Sequence, residues 1–241
     1  MKTDIQFHQL SWPRSDLLWE TPTQRLQNRL LRKFGIPLRA GHHFNGRRDM
    51  LSLEQAGNLQ VLLTGVLDHE VPGAVVELGC HFGASTSVLA QVLQGSDRQG
   101  QFHVYDLFDD SWSVEKNARQ HLEANMTRLH LPLPHVHAGD IRKTLPAELP
   151  ERIAFAHIDL GMGGDAALLQ QVITHALMHV YPRLSRHGIL VIMDHHLPDQ
   201  KSGQNTNPGV TVACNNFFAN KPEQVRMLHG GPCSHAYIRK K

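Results

Sequence analysis

From Leu51 onward the chain alternates short apolar runs with longer stretches whose apolar residues recur at helical spacing. That alternation leaves little choice of fold. "AVVELG", "FHVYDLF", "HVHAGD", "IAFAHIDLG" and "GILVIMDHH" read as five strands, the last flat and apolar enough to be central. Helices are expected in "SLEQAGNLQVLLTGVLD", "SVLAQVLQG", "SVEKNARQHLEANMTRL" and "PGVTVACNNFFAN". A long one is expected in "DAALLQQVITHALMHVYPRL", with Leu168, Leu169, Val172, Ile173, Ala176, Leu177 and Val180 on one face. "QVRMLHG" and "SHAYIRK" read as an antiparallel pair at one edge. The expected architecture is α/β: a doubly wound, mostly parallel seven-stranded sheet with an antiparallel edge pair. Residues 1–50 lack this alternation. A helix is expected in "TPTQRLQNRLLRKFG", capped by Thr21 and stopped by Gly35, and the segment reads as a lid or dimerisation appendage to a domain at 51–241.

Composition excludes more than it assigns. Apolar residues make up 41% and charged residues 19% of the 241, which describes an ordinary globule. A net charge of +2 with no basic tract gives no reason to expect a nucleic-acid partner. No apolar run approaches the roughly 20 residues of a membrane span, and the charged N-terminus does not read as a signal peptide. The three cysteines, Cys80, Cys214 and Cys233, have no C-x-x-C spacing, so a cytoplasmic chain with free thiols is expected. The 18 histidines are scattered rather than gathered in a tract.

In an open parallel sheet, ligands bind at the carboxyl ends of the strands. Here those ends carry Glu77 and Gly79, Asp106, Asp140, Asp159, and Asp194 with His195. The first is followed by the turn of "VVELGCHFGASTSVLA". This is not a P-loop, since no Lys-Ser or Lys-Thr pair follows, nor G-x-G-x-x-G, since His81 stands at the second glycine position. His81 crowds the approach a pyrophosphate needs, and Glu77 repels its charge. S-adenosylmethionine has no phosphate. Glu77 suits its cationic methionine end, the amides opening the helix at Ser85 and Thr86 suit its carboxylate, Asp106 suits the ribose hydroxyls, and Asp140 suits the adenine amino group. The expected cofactor contacts are Glu77, Gly79, Cys80, His81, Gly83, Ser85, Thr86, Asp106, Phe108, Asp140, Ile141 and Asp159. Trp112 and Phe108 offer flat faces for adenine. Cys80 reads as a packing residue, Arg142 and Lys143 as solvent-facing, Asp165 as a helix cap, and His42 and His43 as a polar loop.

"VPGAVVELGCHFGAS", "VYDLFDD", "GDIRKTLP", "IDLGMGGDA", "VYPRLSRHGILVIMDHH", "PGVTVACNNFF" and "HAYIRK" occur in an order that resembles the macrocin O-methyltransferase family, across Leu51 to Lys240. The resemblance implies a Rossmann-like fold and a metal- and S-adenosylmethionine-dependent sugar O-methyltransferase of antibiotic biosynthesis, working on a small hydroxylated acceptor. It further implies a metal site at the ends of the fourth and fifth strands. Those positions are Asp159, Asp194 and His195, with Mg²⁺ or Mn²⁺ expected and Fe²⁺ as an alternative. The third ligand is histidine where the family has aspartate. A second departure is Gly161, at the position of the family's general base; His196, or His195 if it holds no metal, is expected to replace it. An oxidative tailoring enzyme on the same fold and a catalytically impaired binding protein stay open as alternatives. A homodimer is the expected assembly.

Overall fold

The computed structural model describes residues 22–36, 51–109, 116–161, 164–197, 205–230 and 233–241. Helix α1 (Pro22–Lys33) stands apart from the alternating series. It ends where Gly35 adopts φ +64° and Ile36 N–H donates back to the Leu31 carbonyl, the glycine stop that the sequence suggests. Thr21, His42, His43 and Trp112 lie outside the described residues.

Helix α2 (Leu53–Asp68) opens on a reciprocal capping box: Ser52 Oγ accepts from Gln55 N–H, and Gln55 Oε1 accepts from Ser52 N–H. Then follow β1 (Ala74–Leu78), α3 (Ala84–Leu93), β2 (Phe102–Asp106), α4 (Ala118–Arg128), β3 (His135–Ala138), α5 (Ile141–Glu148), β4 (Ile153–Ile158), α6 (Ala166–Arg183), β5 (Leu184–Met193), α7 (Pro208–Phe218), β6 (Arg226–Leu228) and β7 (His235–Arg239). The sheet order is β3-β2-β1-β4-β5-β7-β6. The first five strands run parallel, and β7 joins β5 and β6 antiparallel, as the sequence implies.

Every residue of β1 and β4 is buried, as expected of strands covered on both faces. On one face α5, α6 and α7 bury Leu145, Leu169, Ile173, Leu177 and Val210 against Val76, Leu78, Ile158 and Ile192. On the other, α2, α3 and α4 bury Leu59, Leu63, Leu89 and Leu122 against Val75, Phe155 and Val191. Burying each such side chain contributes about 1.5–3 kcal/mol. Leu168 departs from the expected stripe of α6: it is 43% exposed, at the mouth of the cavity described below. Helix α5 was not expected from "GDIRKTLP". Asp140 caps it by accepting from Arg142 N–H at 3.0 Å. The strand order reverses between β1 and β4, and the carboxyl ends of these two strands meet there.

Candidate active site

The cavity at the switch point is lined by Gly79, Cys80, His81, Phe82, Ser85, Asp106, Asp140, Ile141, Asp159 and Gly161, among others. Most of the acids and turn residues singled out in the sequence meet here. Gly79 has φ +84°, and a β-carbon on it would overlap the Asp159 carbonyl. The position therefore needs glycine for both conformation and space. Gly83 opens α3 at φ +85°, with Leu122 pressed against it.

Asp106 closes this turn. Its Oδ2 accepts from Cys80 N–H at 2.7 Å and His81 N–H at 2.8 Å, and its Oδ1 accepts from Phe108 N–H at 2.7 Å. One carboxylate thus pins the loops after β1 and after β2. Its oxygens remain on the cavity wall, where ribose hydroxyls can donate to their free lone pairs. His81 stacks on Phe82 with ring centroids 3.7 Å apart. The Cys80 thiol is 4% exposed, and burial, then the Asp106 and Glu77 charges, push it up from its ordinary value. It is a packing residue, as expected, and a poor nucleophile.

Four expected contacts sit differently. Glu77 is 0% exposed and is not among the residues lining the cavity. Its Oε2 accepts from Thr86 Oγ1 at 2.5 Å, and its Oε1 lies 3.0 Å from His157 Nδ1. Glu77 and Thr86 therefore brace strand to helix beneath the turn rather than facing a ligand. The reason is register: Glu77 pairs with His157 on β4 and points into the α2–α3 layer. Phe108 packs against that same core layer, and Leu107, half exposed, takes the wall position instead. Asp140 does reach the cavity, but Arg142 grips it, with Nη2 at 2.6 Å and Nε at 2.9 Å from its oxygens. The Arg142 hydrogen bond outweighs partial burial and holds the Asp140 carboxyl below the usual carboxylate range. Arg142, expected to face only water, also lines the cavity.

At the end of β4, burial and then the Asp194 charge push the Asp159 carboxyl up; burial does the same to Asp194. The two carboxylates are neighbours that repel each other. Asp194 takes a left-handed φ of +58° at the end of β5. Its Oδ2 accepts from Asn207 Nδ2 at 2.6 Å. A β-carbon on Gly161 would overlap that same Nδ2 and lie 2.5 Å from Asp194 Oδ2. Asn207, which no sequence pattern pointed to, thus fills the space of a side chain at 161. Cys233 lies beside this group, its Sγ 3.7 Å from Thr206 Oγ1, and burial, with the Asp194 and Asp159 charges adding to it, raises its thiol.

His195 does not join the two aspartates. It is 1% exposed, and its Nδ1 lies 3.2 Å from Met227 Sδ on β6. Asp194 ends β5 in a left-handed turn, and the chain beyond it carries the His195 ring to β6, away from Asp159. His196 is tied by its backbone, N–H and carbonyl, to Thr211 Oγ1, and it does not line the cavity. Among the described residues no group of three or more His, Cys, Asp or Glu is gathered as a metal ion requires. The expected set of Asp159, Asp194 and His195 therefore does not fit a divalent ion. Among the same residues no helix is long and apolar enough to cross a membrane.

Residues 76–195 match the model of a family described as a methyltransferase domain. The chain is 30% identical over 170 residues to the 8-demethyl-8-(2,3-dimethoxy-alpha-L-rhamnosyl)-tetracenomycin-C 4'-O-methyltransferase of Streptomyces olivaceus, covering 61% of this chain and 62% of that one. It is 28% identical over 173 residues to the mycinamicin III 3''-O-methyltransferase of Micromonospora griseorubida, covering 62% and 65%. The chain thus spans less than two thirds of the length of either relative. An O-methyltransferase from Bacillus cereus, solved in complex with SAH, superposes with a TM-score of 0.60 at 15% identity, over 94% of each chain. The seven-stranded sheet is the Rossmann-like sheet of such methyltransferases, with the matched methyltransferase domain spanning its first five strands.

Proposed function

We propose that the chain is an S-adenosylmethionine-dependent O-methyltransferase acting on a hydroxyl of a sugar or small natural product. The observation that carries this reading is the Asp106 clasp: a carboxylate at the end of β2 holds the glycine turn after β1 and keeps its oxygens on the cavity wall. A vicinal diol suits that carboxylate, and His81 stands in the turn where a pyrophosphate needs a second glycine. The match over residues 76–195 supports the same reaction, and the two relatives, named as a rhamnosyl-tetracenomycin 4'-O-methyltransferase and a mycinamicin III 3''-O-methyltransferase, support the acceptor class. The finer resemblance to the macrocin family belongs to this proposal. Bound S-adenosylmethionine supplies an electrophilic methyl group.

The residues of this chain then have separable tasks. Asp106 receives the ribose. Ile141 and Leu160 form apolar walls for the adenine, with the Asp140–Arg142 pair beside it. The amides opening α3 at Ser85 face the carboxylate end. Glu77, Thr86 and His157 hold the floor on which the turn rests. The proton of the acceptor hydroxyl passes to Asp159, which lines the cavity with Asp194 as its neighbour and replaces His195 and His196 as the base because neither of these lines it. No observation favours an oxidative tailoring enzyme or an inactive binding protein. Isothermal calorimetry with S-adenosylhomocysteine tests the reading. Micromolar binding, weakened in Asp106→Ala, is expected; absence of binding by the full chain, with or without added metal, would refute it.

A further inference from the structure

The resemblance at the end of β5 implies an ion, and the side chains there have been rebuilt around something else. A divalent ion of the Mg²⁺ kind sits about 2.0–2.1 Å from a carboxylate oxygen, along the same lone pairs that accept hydrogen bonds. At Asp194 Oδ2 such a direction is taken by Asn207 Nδ2 at 2.6 Å. The amide presents its NH₂ here, so the ionised form of Asp194 has a donor on this side. Asn207 is 7% exposed, so water does not readily substitute for it. The third member of the expected set is removed as well. His195 faces Met227 across the edge of the sheet, and Ser234 Oγ donates to its carbonyl at 2.6 Å.

Gly161 belongs to the same rearrangement. A side chain there would collide with Asn207 Nδ2 and approach Asp194 Oδ2 to 2.5 Å. An aspartate at 161 would push the Asn207 amide off its present seat on Asp194. The absence of a side chain at 161 and the amide of Asn207 on Asp194 are therefore parts of one arrangement.

We propose that Asn207 stands in for the divalent ion. It is a positioning residue that holds Asp194 where a metal would otherwise hold it, so that methyl transfer in this chain needs no bound metal. The proposal rests on the methyltransferase reading above. The proton of the acceptor O–H moves to a carboxylate oxygen of the Asp159–Asp194 pair. The acceptor oxygen keeps the electron pair and forms the new O–CH₃ bond, while the electrons of the broken C–S bond return to sulfur. No ion, oxidant or reductant enters the balance.

The test uses the full chain stripped with a chelator. Mn²⁺ alone is titrated and followed by paramagnetic resonance and calorimetry, with and without S-adenosylhomocysteine. The wild type is expected to show no saturable Mn²⁺ binding that depends on Asp194, and S-adenosylhomocysteine affinity unchanged by stripping. Asn207→Asp, which adds a third carboxylate and removes the donor, is expected to tighten Mn²⁺ binding by about tenfold or more. That gain shows that position 207 faces the site an ion would take, and the wild-type titration shows whether an ion is held there. Saturable Mn²⁺ binding by the wild type that disappears in Asp194→Asn would overturn the proposal. So would a folded Asn207→Asp variant that binds Mn²⁺ no better than the wild type. If that variant does not fold, the wild-type and Asp194→Asn titrations decide alone. Failure of S-adenosylhomocysteine to bind under any condition sinks the methyltransferase reading instead, and is read in the same cell independently of the metal.

Discussion

Replacing Asp106 separates a cofactor clasp from an ordinary turn acid. Three backbone donors converge on this carboxylate, at 2.7, 2.8 and 2.7 Å. Asp106→Asn leaves one oxygen for Cys80 N–H and His81 N–H but turns an NH₂ toward Phe108 N–H. One donor loses its acceptor, and the other two lose the charge. A hydrogen bond to a charged group contributes about 1.5–3 kcal/mol against about 1 for a neutral one, so the substitution costs roughly 2–4 kcal/mol. Asp106→Ala removes all three bonds and costs more. At about 2–4 °C per kcal/mol for a chain of this length, the unfolding midpoint of Asp106→Asn falls by several degrees. The ribose would lose its acceptor at the same time, and a loss of about 1.4 kcal/mol of that contact weakens S-adenosylhomocysteine tenfold. Calorimetry at a temperature where every variant is folded reads the second effect free of the first. Asp106→Ala binding S-adenosylhomocysteine within about twofold of wild type, with the expected fall in midpoint, would show that the carboxylate only braces the turn. The cofactor assignment would then be wrong.

Other substitutions test the remaining parts. Gly79→Ala places a β-carbon on the Asp159 carbonyl and forces φ +84° on an L-residue; its circular dichroism and S-adenosylhomocysteine affinity should both be lost, and wild-type affinity would contradict the cradle. Gly161→Asp, which restores an acid at the expected base position, should lower the unfolding midpoint and create no activity, because it displaces Asn207. Acid stability is set partly by His235, 0% exposed, which burial lowers from 6.5 to about 4. The unfolded chain takes this proton first, so stability is full above pH 6.5 and declines toward pH 4, by about 3 kcal/mol in all. Urea unfolding at pH 7.5 and 5 should show that slope, and His235→Gln should reduce it. Asp159 and Asp194 act with the opposite sign. Their raised carboxyls hold protons in the folded state, so stability falls as pH climbs through the raised values. Asp194→Asn should flatten that fall and raise the midpoint at pH 8.

The layout of the sheet was legible because period and punctuation repeat along the chain. Strand ends followed from the same reading, so Asp106, Asp140 and Asp159 were found as neighbours before any geometry was known. Which way a strand residue points was harder. Glu77 stands two residues before Gly79, yet pairing with His157, 80 residues away, turns it into the core. Asp194 and His195 look like a pair of ligands in the sequence because they are adjacent, but the left-handed turn at Asp194 and the contact with Met227 on β6 are visible only in the folded chain. Helix α5 was obscured by Pro146 in "IRKTLPAE", which reads as a stop although the eight-residue helix continues through it. Asn207 carried no signal: it follows a polar stretch, 13 residues from its partner, and only the folded chain brings its amide to Asp194.

These differences separate two kinds of constraint in one cavity. The cofactor end is fixed by backbone: Gly79 against the Asp159 carbonyl, three amides on Asp106, Gly83 against Leu122. Backbone requirements leave glycines and short acids at set spacings, and a sequence displays them. The acceptor end is fixed by side chains that meet only in three dimensions, so one substitution there permits another. With Asn207 donating to Asp194, a side chain at 161 would have to displace its amide. Gly161 and Asn207, which look unrelated along the chain, are then two sides of a single contact. A double-mutant cycle decides this. Gly161→Ala and Asn207→Ala should each be destabilising, and because Asn207→Ala clears the space that a β-carbon at 161 would need, the pair should be less destabilising than the two effects added. Strict additivity within about 0.5 kcal/mol would mean that the two sites are unrelated.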